Sequence, residues 1–513
     1  MRSSLTSTVS LDVLARELSS GRSIRVCAGS ASMSPSVQTG DVLTVEPVDR
    51  AALRRGDIVI IGEKHQWLAH RLLTLRQTPA GTRAVTAGDA ANRVDNSVNA
   101  DRLIGKVTQV RRHDSPEPMK PARLPCGVDQ ALLLASFPHA EPLESPWDIS
   151  FGVPWNSFRE KALSNGLAEL IYYFNSDILK ADAVSGGSLI SSEAKAIENR
   201  YFGTLSRNIL FLDRARHIGR VLKGIDFVLL KGAYLAEHIY DSPALRPFSD
   251  IDILVRPEKV KATHRKLTEA GYSPPGNPPE PSKESDLLKS TAYRAAGPGP
   301  ALHVHWDLAN SILPKYTAGR IDVDEFWQSA VPTAHPWLAP DTEHLIIHLC
   351  EHALRHSYDR LILLRDIAEV ILKPGGRITW NRLSRLAQRY RLDRAVYYAL
   401  DLLSARTGIA VPGEVLDALR PAPVSGPERL FAKALRDGVR YPELCNLLYF
   451  DTAGSAGEKW SFVKKVLFPP KSLLARAYGV KPAEISAAVY TRRIARGLYH
   501  ALTALRLIKH GAH

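Results

Sequence analysis

The chain has 513 residues with 45% hydrophobic and 23% charged side chains, a balance ordinary for a globular protein that leaves room for two or three cored domains. A net charge of +14 suits a solvated cationic surface or a phosphate-bearing partner. No run of five or more Lys/Arg and no aromatic–basic interleaving points to nucleic acid, which is not expected as a partner.

Residues 1–21 read as a short amphipathic helix. No signal peptide and no run of eighteen apolar residues is seen, so a cytoplasmic location is expected. The four cysteines, Cys27, Cys126, Cys350 and Cys445, form no CxxC pair, which fits a reducing compartment.

Residues 22–112 are β-rich. DVLTVEP, GDIVIIG, WLAHRLLTL, TRAVTAGD and RLIGKVTQV alternate with Gly, Asp and Pro punctuation. The Pro-bearing stretch 113–128 reads as a linker, and 129–224 as a helical lead-in. Within 225–335 the pattern is α/β: a strand at DFVLL, a glycine turn at Gly232, a helix at AYLAEHIY, a strand at DIDILVRP and a helix near 258–270. A Pro/Gly-rich loop at 273–285 and a strand at ALHVHWDL follow. Residues 336–513 read as mostly helical.

In the β-rich part, chemistry-bearing residues fall in a fixed order: Ser32-Met33 with Pro35, Gly40-Asp41, Gly56-Asp57, His70-Arg71, and GDxxNxxD from Gly88 to Asp95. This order resembles the type I signal peptidase clan, in the branch whose base is histidine. The resemblance implies an all-β serine peptidase module and a peptide substrate. Ser32 would be the nucleophile and His70 its base, with Asp95 or Asp89 orienting the imidazole and Ser32 or nearby backbone N–H groups stabilising the oxyanion.

In the α/β part, Asp250 and Asp252 alternate on one strand, so both carboxylates share a face while Ile251 and Ile253 point inward. Paired oxygen ligands suit a hard dication bridging nucleotide phosphates. Gly232 at a helix start allows close backbone approach to a phosphate, and Lys231 and Arg246 are candidate phosphate contacts. LKG at 230–232, RPFSDIDILV at 246–255, His305-Trp306, EHLIIHLCEHALRH and RLILLRDIAEV together resemble the bacterial "uncharacterised nucleotidyltransferase" family of the polymerase-β-type superfamily. That resemblance covers about residues 130–510. It implies Mg²⁺ (or Mn²⁺) on Asp250 and Asp252, a nucleoside triphosphate (NTP) substrate, and a mixed-sheet α/β core embedded in a largely helical domain.

Where the superfamily carries a third carboxylate, this chain has His303. Asp307 is a candidate replacement, and His303 or His305 is an alternative base. A further pattern, HxxEH at His348–His352, lies on a helix with His344, His348, His352 and His356 at four-residue spacing. Helix packing by hydrogen-bonded imidazoles is the preferred reading over zinc proteolysis.

The expectation is a multidomain, bifunctional protein in which a signal-peptidase-like module and a metal-dependent nucleotidyltransferase act on one peptide. The rival is a non-catalytic regulator that binds nucleotide and peptide.

Overall fold

A computed structural model gives the architecture. It describes residues 10–495 except 35, 64–65, 79, 91–93, 113–117, 120–127, 139–148, 151–152, 185–187, 275–288, 296–298, 309–320, 374–376, 423, 437–444, 453–454, 472–473 and 475–481. The chain divides into two compact units, 1–201 with 403–411, and 202–402 with 412–513.

The first unit opens with a helix, Leu11–Ser19, capped by the Ser10 hydroxyl, which accepts from the Val13 N–H. Leu14 and Leu18, one turn apart, are its buried face. Eight strands follow: β1 (Ile24–Cys27), β2 (Val42–Pro47), β3 (Ile58–Glu63), β4 (Gln66–Thr78), β5 (Gly81–Ala87), β6 (Val98–Asn99), β7 (Leu103–Arg111) and β8 (Pro118–Met119). They form one sheet in the order β1-β2-β7-β3-β4-β5-β6, with β8 added on β7, and every pairing is antiparallel.

The continuous apolar run in β3 has a physical reason. Ile58 and Ile60 join a core with Leu14, Val45 and Val107 on one face, while Val59 and Ile61 join Leu53, Leu72 and Leu103 on the other. A strand buried on both faces has no polar alternation to show. Each expected strand of this region is present. β1 was not read from the sequence because its four residues, IRVC, are too few to show alternation and include a charge. β8 places a short strand inside the stretch read as a linker, most of which lies outside the described residues. Helices Val128–Ala135, Trp155–Asn165, Ala168–Val184 and Ser188–Val221 continue the chain.

The segment Leu403–Val411 also belongs to the first unit. Val94 N–H donates to Ala405 O at 2.9 Å and Ser97 N–H to Gly408 O at 2.8 Å. The Arg76 guanidinium donates to Thr407 O at 3.0 Å.

The second unit holds a seven-stranded mixed sheet. Its strands are β9 (Phe227–Leu230), β10 (Asp250–Val255), β11 (Tyr272–Ser273), β12 (Ser290–Ala295), β13 (Ala301–His305), β14 (Val331–Pro332) and β15 (Leu338–Ala339). The order is β11-β12-β13-β10-β9-β15-β14; β10–β13 and β9–β15 are parallel and the rest antiparallel. Helices Lys231–His238 and Val260–Glu269 pack on its strands, and Val323–Ser329, Thr342–Arg355, Leu361–Leu372 and further helices through Ala456–Leu467 follow along the chain. Strands β11, β12, β14 and β15 were missed, three of them because two residues carry no periodicity. The loop expected at 273–285 falls mostly outside the described residues. Among the described residues, no helix is long and apolar enough to cross a membrane.

Candidate active sites

In the second unit, β10 places its two acids through strand alternation. Ile251 and Ile253 are fully buried, whereas Asp250 and Asp252 take the other face. Parallel pairing sets Asp252 opposite His303, and antiparallel pairing sets it opposite Leu230. Lys231, the next residue, therefore arrives beside Asp252, and its Nζ donates to Asp252 Oδ1 at 2.7 Å.

The turn is not made as expected. The left-handed backbone belongs to Lys231 at φ +51°, and the helix begins there, two residues before Ala233. Gly232 is required for a different reason: a Cβ there would stand 2.6 Å from the Phe248 Cβ. A lysine held at positive φ stores backbone strain, a feature that concentrates at functional sites.

His305 Nε2 lies 2.7 Å from the same Asp252 Oδ1. His303 Nδ1 lies 3.7 Å from Asp250 Oδ2 and 3.9 Å from Asp252 Oδ1. Asp252 and His305 are buried, while Asp250 and His303 are about a third exposed at the mouth. Burial pushes the Asp252 carboxyl up, but the Lys231 charge and the His305 hydrogen bond override it and hold the group far below the usual carboxylate range. Burial drives His305 down, against the opposing pull of Asp252. The site is thus an ionised carboxylate between an ammonium and a neutral imidazole.

Asp252, His303 and His305 form a group able to hold a metal ion, with donor atoms all within 4.8 Å of one another. Asp307 falls beyond the end of β13 and outside that group. One carboxylate with two imidazoles is a donor set for a divalent ion. It differs from the all-oxygen set that Mg²⁺ favours.

Arg246 is engaged elsewhere than at a phosphate. Its Nε and Nη2 donate to Asp366 Oδ1 and Oδ2 at 2.6 and 2.8 Å, and the Tyr240 hydroxyl donates to Oδ1 at 2.8 Å. This buried fork ties the loop before β10 to the helix Leu361–Leu372. It explains why both strings belong to one sequence pattern.

On the helix Thr342–Arg355, His344 is satisfied by Asp341 Oδ1 at 2.8 Å and the Tyr390 hydroxyl at 3.0 Å. Glu351 accepts from Arg355 Nη2 at 2.7 Å, one helical turn away. His348 differs: neither ring nitrogen has a hydrogen-bond partner among the described residues.

The first unit brings together a second constellation. His70 Nδ1 donates to Asp95 Oδ2 at 2.6 Å, and the Ser32 hydroxyl lies 3.3 Å from His70 Nε2. The Thr86 hydroxyl adds a 2.6 Å hydrogen bond to Asp95 Oδ2. Asp89 has another task. It accepts two bonds from Arg71, at 2.7 and 2.6 Å, and both side chains are almost fully buried. Arg71 also reaches Gly56 O and Ser36 Oγ, so the His-Arg dipeptide splits into one residue at the serine and one pinning three loops.

Gly88 is the contact point of two of these loops. A Cβ there would stand 2.5 Å from Ser32 O and 3.2 Å from His70 Nε2. Asp41 and Asp57, from the two GD pairs, accept from the backbone N–H three residues earlier, closing turns. Ser32 opens on a groove of about 490 Å³ lined by Ser30, Met33, Val37, Trp67 and Ala69 among others. Pro35 and Asn92 lie outside the described residues. The sequence reading missed Thr86 and Gly408 entirely, since a lone threonine or glycine carries no signal of its distant partner.

Residues 154–408 match the family model described as uncharacterised nucleotidyltransferase. This match and the Asp/His group support a nucleotidyltransferase in the C-terminal part of the chain. No curated protein and no solved structure matches the chain.

Proposed function

We propose that this protein transfers a nucleoside monophosphate from an NTP to an acceptor at the Asp250–Asp252–His303–His305 site, and that the Ser32 site is a serine peptidase of the signal-peptidase type. The observation that carries the first half is the convergence of Lys231, Asp252 and His305 on one buried oxygen, with Asp250 and His303 at the mouth.

Lys231 is the cation available to phosphate oxygens, and the buried Asp252 keeps it oriented. Asp250, the partly exposed carboxylate beside His303, is placed to take the acceptor's proton as its oxygen or nitrogen attacks the α-phosphorus. A divalent ion held by Asp252 and the two imidazoles would neutralise charge on the triphosphate and the departing pyrophosphate.

At the other site, the Ser32 Oγ would attack a peptide carbonyl while His70 Nε2 takes its proton and Asp95 stabilises the resulting imidazolium. One peptide trimmed at the first site and nucleotidylated at the second is the substrate this pairing favours.

The rival, a non-catalytic nucleotide and peptide binder, draws on His303 standing where a third carboxylate is usual. Two measurements separate them. Metal-dependent pyrophosphate release, absent in Asp252→Asn, is expected of a transferase; nucleotide binding with no release at any acceptor favours the rival. Covalent labelling by a fluorophosphonate is expected on Ser32 and should vanish in Ser32→Ala and His70→Ala. A wild type that does not label removes the peptidase half.

A further inference from the structure

The donors around Asp252 are a chemically mixed set. An ion coordinated at about 2.0–2.2 Å by nitrogen and oxygen in a tetrahedron spaces its ligands about 3.4 Å apart. The separations from Asp252 Oδ1 to His305 Nε2 and His303 Nδ1 are 2.7 and 3.9 Å, on either side of that value. β10 and β13 fix the three residues through paired backbone, so the set is built into the sheet rather than carried on a loop.

Mg²⁺ sheds water reluctantly and prefers oxygen, whereas imidazole suits zinc-like borderline ions. Only one of the three donors is oxygen. Asp250, whose Oδ2 lies 3.7 Å from His303 Nδ1, borders the three donors at the partly exposed mouth.

We propose that Asp252, His303 and His305 bind a borderline dication of the zinc type in preference to Mg²⁺, and that His303 sets this preference. The inference rests on the nucleotide-transfer reading only for the ion's purpose; binding itself needs no nucleotide. Lys231 shares Asp252 Oδ1 and so competes with the ion for the same oxygen. Its removal tightens the metal while weakening the hold on phosphates.

The test uses the full chain after treatment with chelator, without nucleotide. Thermal unfolding is recorded with micromolar Zn²⁺ or Co²⁺ and with millimolar Mg²⁺, and Co²⁺ binding is followed by its visible absorption. The expected result is stabilisation by Zn²⁺ and Co²⁺ but not by Mg²⁺. Affinity should fall by roughly tenfold or more in His303→Ala, and Lys231→Met should bind Co²⁺ more tightly.

His303→Asp, at a partly exposed position, should shift the preference toward Mg²⁺. Equal or tighter Mg²⁺ binding by the wild type overturns the proposal. So does a zinc response that survives both His303→Ala and Asp252→Asn. NTP binding is read in separate titrations: selective zinc binding without any nucleotide response would sink the transferase reading and leave this one standing. Nucleotide binding with Mg²⁺ preference would do the reverse.

Discussion

His348 is 2% exposed, yet both its ring nitrogens lack partners among the described residues. Burial, reinforced by the charges of Lys231 and Arg355, pushes its pKa down to about 3 from 6.5. The unfolded chain takes up this proton near pH 6.5 and the folded chain only near pH 3, so stability falls as pH drops through that window. The slope from this residue approaches 1.4 kcal/mol per pH unit.

Replacing His348 by Leu removes both the unpaired nitrogens and the proton. It is expected to stabilise the protein by about 1–3 kcal/mol at neutral pH and to flatten the acid limb of the denaturation midpoint against pH. An unchanged limb would show that other groups govern it. His238, pushed down to about 4 mainly by burial, and His352, lowered well below its usual value, titrate in the same direction.

The sequence showed four histidines on one helical face, and it supported packing with satisfied imidazoles. His344 meets that reading and His348 does not. Spacing reveals which residues share a face but not which of them find a partner across it.

At the scale of elements, the DIDILV strand was legible because alternation is a local property. The residues at its flanks were less so. Arg246 was read as a phosphate contact, whereas it forks onto Asp366 across 120 positions of sequence. Gly232 was read as a phosphate approach, and its missing Cβ also leaves space for Phe248. Both functions depend on long-range packing, which no spacing rule encodes.

The Arg246–Asp366 fork carries a definite prediction. Asp366→Asn leaves the buried guanidinium without its counter-charge. The expected loss is about 3–5 kcal/mol, measured by urea unfolding with the m-value unchanged. A loss below about 1 kcal/mol would mean that water or another group takes over the guanidinium. In the first unit, GDxxNxxD was legible as a motif. The division of labour between Asp89 at Arg71 and Asp95 at His70 was not, because both acids follow the same turn and only folding assigns them different partners.

For the whole molecule, the β-rich first part and the mixed-sheet, helical later part were readable from the change in periodicity. Unreadable was that residues 403–411 pack in the first unit. Gly408 sits at φ +67°, and a Cβ there would stand 2.8 Å from Asp95 O. Gly408→Ala is therefore strained in its own backbone and presses on the residue that orients His70. We expect a destabilisation of about 1–3 kcal/mol and a slower fluorophosphonate reaction at Ser32. Labelling at the wild-type rate would show that the Asp95 loop holds its place without this support.

The same contact fixes when the loop bearing Asp95 gains its backbone support. Asp95 leaves the ribosome early, but Ala405 and Gly408, which accept from Val94 and Ser97, are made some three hundred residues afterwards. At ordinary elongation rates that is a delay of roughly 15–60 s. Throughout that delay the nascent chain already carries the serine and the histidine, but not the strand of backbone that holds the aspartate loop. The Asp95 loop therefore gains this backbone support only once the nucleotidyltransferase-matched segment, residues 154–408, has been synthesised.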